Sequence, residues 1–240
     1  MKRKTIFAAA FLLAAAAIAY GYYSLNGEAS KGKTVIMAFG DSLTYGQGDR
    51  EEQGYVGKLE KELNARYPGM DFTIENYGVK KRETDDVIME LRKPGTAARL
   101  KNADSFILFI GTNDLINSNG GNLKTIHPEK IAAAKRKYVR NLGVILNTLR
   151  SANNNAPILV LGLYNPYPEN GQNIEPLFDG WNAATIRLVE KERGVTYVPT
   201  NDIFKGKDKQ QYFSDSLHLN KHGYRLLEKR IMEMYPSPEK

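Results

Sequence analysis

Thr34-Val35-Ile36-Met37-Ala38-Phe39-Gly40-Asp41-Ser42 is the stretch whose reading decides the fold. Thr34–Phe39 is a short, almost wholly apolar run, with the length of a strand buried on both faces. It stops at Gly40, and two polar residues follow at once. Reading outward, the same alternation recurs. Tyr55–Tyr67 places Val56, Leu59 and Leu63 at helical spacing, and Pro68-Gly69 ends it. Asp71–Tyr77 reads as a strand, and Thr84–Leu91 as a helix stopped before Pro94-Gly95. Ser105–Ile110 is a central strand running into Gly111. Pro128–Ala152 is a long helix with proline at its start, where the missing N–H costs little. Pro157–Leu163 is a fourth strand, Leu177–Arg193 a helix capped by Gly194, Val195–Val198 a fifth strand, and Asn220–Tyr235 a last helix. Strands alternating with helices predict a five-stranded parallel sheet covered on both faces, in the α/β class. The loop Tyr164–Pro176, rich in Pro, Asn and Gly, is longer than a connector needs and is a candidate pocket wall.

The segment before this body reads differently. Met1-Lys2-Arg3-Lys4 precedes an uncharged run from Thr5 to Asn26, most apolar over Ile6–Tyr23. A basic start and a run near the length that spans a bilayer predict a membrane anchor or an export signal. Tyr20, Tyr22 and Tyr23 close the run where an aromatic belt would lie, which favours an uncleaved anchor. Ala17-Ile18-Ala19 has the small-x-small form of a cleavage site and leaves secretion as the alternative. The positive-inside rule then places the body outside the cytoplasm. The chain divides into residues 1–33, anchor or signal plus linker, and one domain over 34–240. The 240 residues carry a net charge of +7. Residues 1–33 hold five cationic side chains against Glu28, so the body carries only +3, ordinary for a soluble domain. Nucleic-acid binding is therefore not indicated. The trios Lys80-Lys81-Arg82 and Lys135-Arg136-Lys137 read as solvated positions. No cysteine is present, which excludes disulfides, thiolate metal sites and a cysteine nucleophile.

Three polar clusters fall at predicted strand ends or loops, where α/β sheets bind ligands. Gly40-Asp41-Ser42-Leu43 places a serine at the sheet's rim; the competing reading is a helix cap. Gly111-Thr112-Asn113-Asp114 offers an amide N–H for an oxyanion; the competing reading is a turn. Asp215-Ser216-Leu217-His218 puts a carboxylate within reach of an imidazole, which could fix its tautomer and leave the other nitrogen as a base. His218 and His222 are four apart, but His218 looks pre-helical and no third metal ligand is evident. Only His127, His218 and His222 exist, so histidine chemistry rests on one of them.

Taken in order, these clusters resemble the SGNH (GDSL-type) hydrolase superfamily, from about Thr34 to Tyr235. Asn76-Tyr77-Gly78-Val79 and Tyr164-Asn165-Pro166 are similar to its lipase/acylhydrolase-like branch. The resemblance implies a flavodoxin-like three-layer α/β/α sandwich and hydrolysis of carboxylic esters through an acyl-enzyme. Ser42 would be the nucleophile, His218 the base and Asp215 its orienting partner. Ser42 N–H and the Asn113 side chain would serve the oxyanion hole. Neither metal nor organic cofactor is implied. The substrate would be a lysolipid, a short acyl ester or an acetylated glycan. One departure stands out. The position where members carry a second oxyanion glycine holds Lys81, which keeps an N–H but would be strained at positive φ. Gly78 is the alternative donor. A catalytically impaired binding module on the same fold is the competing reading that Lys81 supports.

Overall fold

The computed structural model describes residues 32–51, 53–167 and 173–237. The predicted anchor and the middle of the predicted pocket-wall loop lie outside these. Among the described residues no helix is long and apolar enough to cross a membrane.

Five strands build one sheet: β1 (Gly32–Gly40), β2 (Met70–Gly78), β3 (Ser105–Phe109), β4 (Ile158–Leu161) and β5 (Val195–Val198). Their order is β2-β1-β3-β4-β5, with every neighbouring pair parallel. Side chains alternate across the strands. Met37, Phe39, Phe106, Leu108, Ile158 and Val160 enter one core, and Ile36, Ala38, Ile107, Phe109, Leu159 and Leu161 enter the other. Because both faces are covered, the central strands read as unbroken apolar runs.

Among the described residues, ten helical segments lie between or after the strands. Those after the first strand are α1 (Ser42–Tyr45) and α2 (Gly54–Arg66), and those after the second are α3 (Thr84–Arg92) and α4 (Pro94–Leu100). Then come α5 (Thr112–Ser118), α6 (Pro128–Ala152), α7 (Glu175–Val189), α8 (Asn201–Phe204), α9 (Lys209–Tyr212) and α10 (Lys221–Met234). Helices α3 to α7 close the core that holds Met37. Helices α2, α8 and α10 close the other, through Leu59, Leu63, Phe204, Leu227 and Ile231. This is the expected three-layer α/β/α sandwich.

Several expectations need correction. Pro94 does not only stop a helix. It opens α4 at the first helical position, where its fixed φ fits. Gly111-Thr112-Asn113-Asp114 is not an isolated turn, because Thr112 starts α5. Helix α7 begins at Glu175 and ends at Val189, so Gly194, at φ +69°, lies beyond its cap and turns the chain into β5.

The chain runs from β1 outward to β2, then crosses back to β3 on the other side. Between the C-terminal ends of β1 and β3 the connections diverge, which opens a crevice there. Gly40 pairs with Gly78 on one side and with Phe109 on the other. Ser42 and Asn113 follow from the two strand ends that border this crevice.

Candidate active site

Strand β1 passes into α1 within two residues. A Cβ on Gly40 would run into Thr44 Oγ1 and the carbonyl of Phe109, so only glycine lets the turn pack this tightly. Asp41 caps the helix, accepting from Leu43 N–H at 2.9 Å. Ser42 is thus the first residue of a short helix and is 5% exposed. The capping reading holds for Asp41, and the serine expected at the sheet's rim is there but buried.

His218 arrives from 176 residues away on the loop before α10. Its Nε2 lies 2.9 Å from Ser42 Oγ, and its Nδ1 lies 2.7 Å from Asp215 Oδ2. The tight turn anticipated between Asp215 and His218 exists. Asp215 Oδ1 accepts the backbone N–H groups of Leu217 at 2.8 Å and of His218 at 2.7 Å. Burial would raise the Asp215 carboxyl, but those two N–H groups and the imidazole outweigh it and hold it below the usual range. The carboxylate therefore stays charged beside the ring. Nδ1–H donated to it leaves the Nε2 lone pair facing the Ser42 hydroxyl.

Several contacts that the sequence reading did not find hold this loop in place. Tyr164 Oη donates to Leu217 O at 2.9 Å, and Lys209 Nζ donates to Ser216 O at 2.7 Å. Tyr224 Oη donates to the carbonyl of Gln47 at 2.7 Å, and the Gln47 amide lies 3.4 Å from His218 Nδ1. Gly48, at φ +95°, lies against the Leu219 carbonyl and Ser214 Oγ with no room for a Cβ. Glycines on either side of Gln47 were the visible signal. His222 is on α10, whereas His218 precedes it, so the two do not share a helix face. His127 stands at the start of α6.

The oxyanion candidates sort by what their donors already do. Asn113 Nδ2 donates to Arg82 O at 2.9 Å, and Asp41 Oδ2 lies 3.5 Å away. One amide proton is firmly held and the other only weakly. Gly78 N–H is committed to Asn76 Oδ1 at 2.8 Å, while Asn76 Nδ2 binds Thr44 O at 2.8 Å. Asn76 therefore ties β2 to α1, and Gly78 has no N–H to offer, which removes it as a donor. Lys81 has φ +68° and is the one non-glycine residue at positive φ among the described residues. The backbone N–H groups of Ser42 and Lys81 have no acceptor among the described residues.

Two buried carboxylates flank the site. Burial, and then Asp114 nearby, pushes Asp41 up to about 7 against the lowering hydrogen bond from Leu43. Burial likewise pushes Asp114 up to about 6, against the hydrogen bonds from Thr84. Asp114 accepts from Thr84 Oγ1 at 2.5 Å and Thr84 N–H at 3.1 Å, joining α5 to the start of α3. These acids hold loops together.

The GDSL-like Lipase/Acylhydrolase family matches residues 38–226. The uncharacterized protein YpmR of Bacillus subtilis is 29% identical over 209 residues, covering 85% of this chain and 82% of that protein. The spore germination lipase LipC of Bacillus licheniformis is 26% identical over 210 residues, covering 81% and 92%. Among solved structures, the lipase Lip_vut3 from a goat rumen metagenome superposes with a TM-score of 0.73 at 24% identity, covering 84% of this chain and 97% of that one. A variant of Axe2, an acetyl-xylooligosaccharide esterase from a Geobacillus, superposes at 0.67 with 16% identity, covering 88% and 98%. Both likenesses establish the fold.

Two predictions follow from the backbone and the buried acids. The folded state holds a proton on Asp41 between pH 3.8 and about 7 that the unfolded chain has released, so its contribution to stability falls as pH rises through that window. Asp41→Asn keeps a capping acceptor and cannot ionise. Thermal melts from about pH 4 to about pH 8 should show wild-type Tm falling more steeply than the variant's; parallel curves would refute this. For Lys81, the left-handed conformation costs about 1–2 kcal/mol, and glycine gives back about 0.4–1 kcal/mol through a freer unfolded chain. Lys81→Gly should leave urea-melt stability unchanged or raise it by up to about 1.6 kcal/mol. A less stable glycine variant would show that the lysine side chain itself stabilises the turn.

Proposed function

The chain belongs to the GDSL-like lipase/acylhydrolase family and is a carboxylic ester hydrolase; from that premise we propose that Ser42, His218 and Asp215 are its catalytic residues and act through an acyl-enzyme. The observation that carries this reading is the continuous chain from Ser42 Oγ through the imidazole to Asp215, at 2.9 and 2.7 Å. His218 Nε2 takes the hydroxyl proton as Ser42 Oγ attacks the ester carbonyl. Asp215 keeps the tautomer and stabilises the imidazolium. The tetrahedral oxyanion is met by the N–H groups of Ser42 and Lys81 and by the weakly held second proton of Asn113 Nδ2. Collapse breaks the ester C–O bond, and the leaving alkoxide takes the proton from Nε2. Water, deprotonated by His218, then releases the acid and restores Ser42. The N–H of Lys81 carries no competing bond, which speaks for a working hydrolase over an impaired binding module.

The rim favours one substrate class. Tyr45, on α1, is 46% exposed, and Val79, just past β2, is 45% exposed. The Lys80 ammonium lies over the Tyr45 ring, 4.7 Å from its centroid. Exposed apolar side chains on the segments that leave β1 and β2 suit a fatty acyl chain better than an acetylated sugar. We therefore place a lysolipid or a similar acyl ester first. The apolar run over residues 5–26 supports an extracytoplasmic enzyme tethered to the membrane where such lipids occur, with secretion after cleavage as the alternative.

Ser42→Ala should lower kcat for a p-nitrophenyl ester by at least about 10³-fold. A fluorophosphonate should label the wild type and not that variant; full activity in it would end the assignment. Asn113→Ala should lower kcat by about 10²–10³-fold with little change in KM. Across p-nitrophenyl esters of graded length and acetylated xylooligosaccharides, kcat/KM should rise from acetate to medium acyl chains. A maximum on the acetylated sugars would reverse the substrate order while leaving the mechanism intact.

A further inference from the structure

Helices α6 and α7 lie side by side on the outside of one layer, and a groove of about 540 Å³ runs between them. Its walls carry Lys135, Arg136 and Arg140 from α6, Arg187 from α7 and Lys191 from the turn that follows α7. No carboxylate lines it. None of the five cations has an ion pair or hydrogen bond among the described residues. Several cations elsewhere are matched: Lys58 pairs with Asp49, Arg82 with Glu90, Arg230 with Asp202, and Lys137, beside Arg136, with Asp85. Arg136 and Arg140 are four apart on α6, a spacing at which like charges destabilise a helix. Across the groove they face Arg187 near the end of α7 and Lys191 just past it. In a body whose net charge is only +3, such crowding calls for an anion from outside.

The floor narrows the choice of anion. Val139, Ala184 and Leu188 form it, and Val144, 41% exposed, lies one turn beyond Arg140 on α6. A free polyanion would engage the cations and leave this apolar strip wet. An anionic lipid engages both, its phosphate on the cations and its glycerol and first methylenes on the strip. Location agrees, although here the argument rests on the proposed membrane attachment. The uncharged run ends at Asn26 and the domain starts at Gly32, so the intervening five residues span about 18 Å at most. We infer that the α6/α7 groove is a docking surface for anionic phospholipid, which lays the tethered domain against the bilayer. Each cation at the surface adds to such binding, and salt screens it.

The chain lacks cysteine, so Val144→Cys accepts one environment-sensitive fluorophore. The labelled full-length protein is reconstituted in vesicles of phosphatidylcholine and in vesicles containing phosphatidylglycerol. Docking predicts a blue-shifted emission in the anionic vesicles only, reversed by salt. It also predicts loss of that shift in Arg136→Glu/Arg140→Glu/Arg187→Glu, whose hydrolysis of a soluble p-nitrophenyl ester stays at the wild-type rate. Equal emission in both vesicles, or an equal shift from soluble polyphosphate added to the neutral ones, overturns the proposal. Flotation with neutral vesicles reads the N-terminal anchor separately. If it fails, flotation with anionic vesicles depends on the groove alone, and wild-type flotation that the triple variant loses supports docking, whereas no difference refutes it.

Discussion

One rung of the sheet carries the proposed catalytic arrangement. Gly40 pairs with Gly78 on β2 and with Phe109 on β3, and each of these three strands ends within a residue or so of the rung. The chain segments that leave it supply Ser42, the Lys81 turn and Asn113. Parallel register brings the three exits to one edge, and the absence of a Cβ at Gly40 lets α1 fold back against the Phe109 carbonyl. Shifting β1 by one residue would exchange its two buried faces, so hydrophobic burial on both sides locks the register that aligns the site. The fourth exit, which brings His218, is not set by the sheet. It is fixed by the contacts of Tyr164, Lys209, Tyr224 and Gly48 around the loop before α10.

Three carboxylates near the serine are separated in role by their surroundings. Asp215 keeps a side chain that is 49% exposed and receives two backbone N–H groups, and it stays ionised. Asp41 and Asp114 are buried, and desolvation pushes both upward. An acid half-protonated near neutrality cannot hold an imidazole as a permanent charge. It can hold a helix end or a loop, which is what each does. The residue type is the same at all three positions, and solvent access with donor count decides between catalysis and structure.

Much of this was legible in the sequence because it follows local rules. Buried strands show as apolar runs, α6 begins at Pro128 and ends at Ala152 as its pattern indicates, and the Asp215–His218 spacing is a property of one turn. What was not legible depends on which of several local options the fold selects, or on partners distant in the chain. Pro94 looks like a stop until α4 is seen to start on it. Gly78 looks like a free donor until Asn76 is seen to take its N–H. The basic trio at Lys135 gave no hint of the cations it faces on and just past α7, since a facing helix 50 residues later leaves no local signal.

On the proposed mechanism, Lys81 keeps an oxyanion donor where the family pattern has glycine. Its backbone N–H has no acceptor among the described residues. Holding a lysine at φ +68° costs about 1–2 kcal/mol, whereas removing one oxyanion donor would cost about 2.7–4 kcal/mol of transition-state stabilisation. On that reading the larger quantity depends on the N–H, which every residue except proline retains. The turn tolerates the lysine because its two flanks are fixed independently: Val79 N–H binds the Gly40 carbonyl at 3.1 Å, and Arg82 is held by Glu90 and by Asn113. With both ends pinned, the residue between them has little choice of φ, and its side chain is directed to solvent where its charge costs nothing.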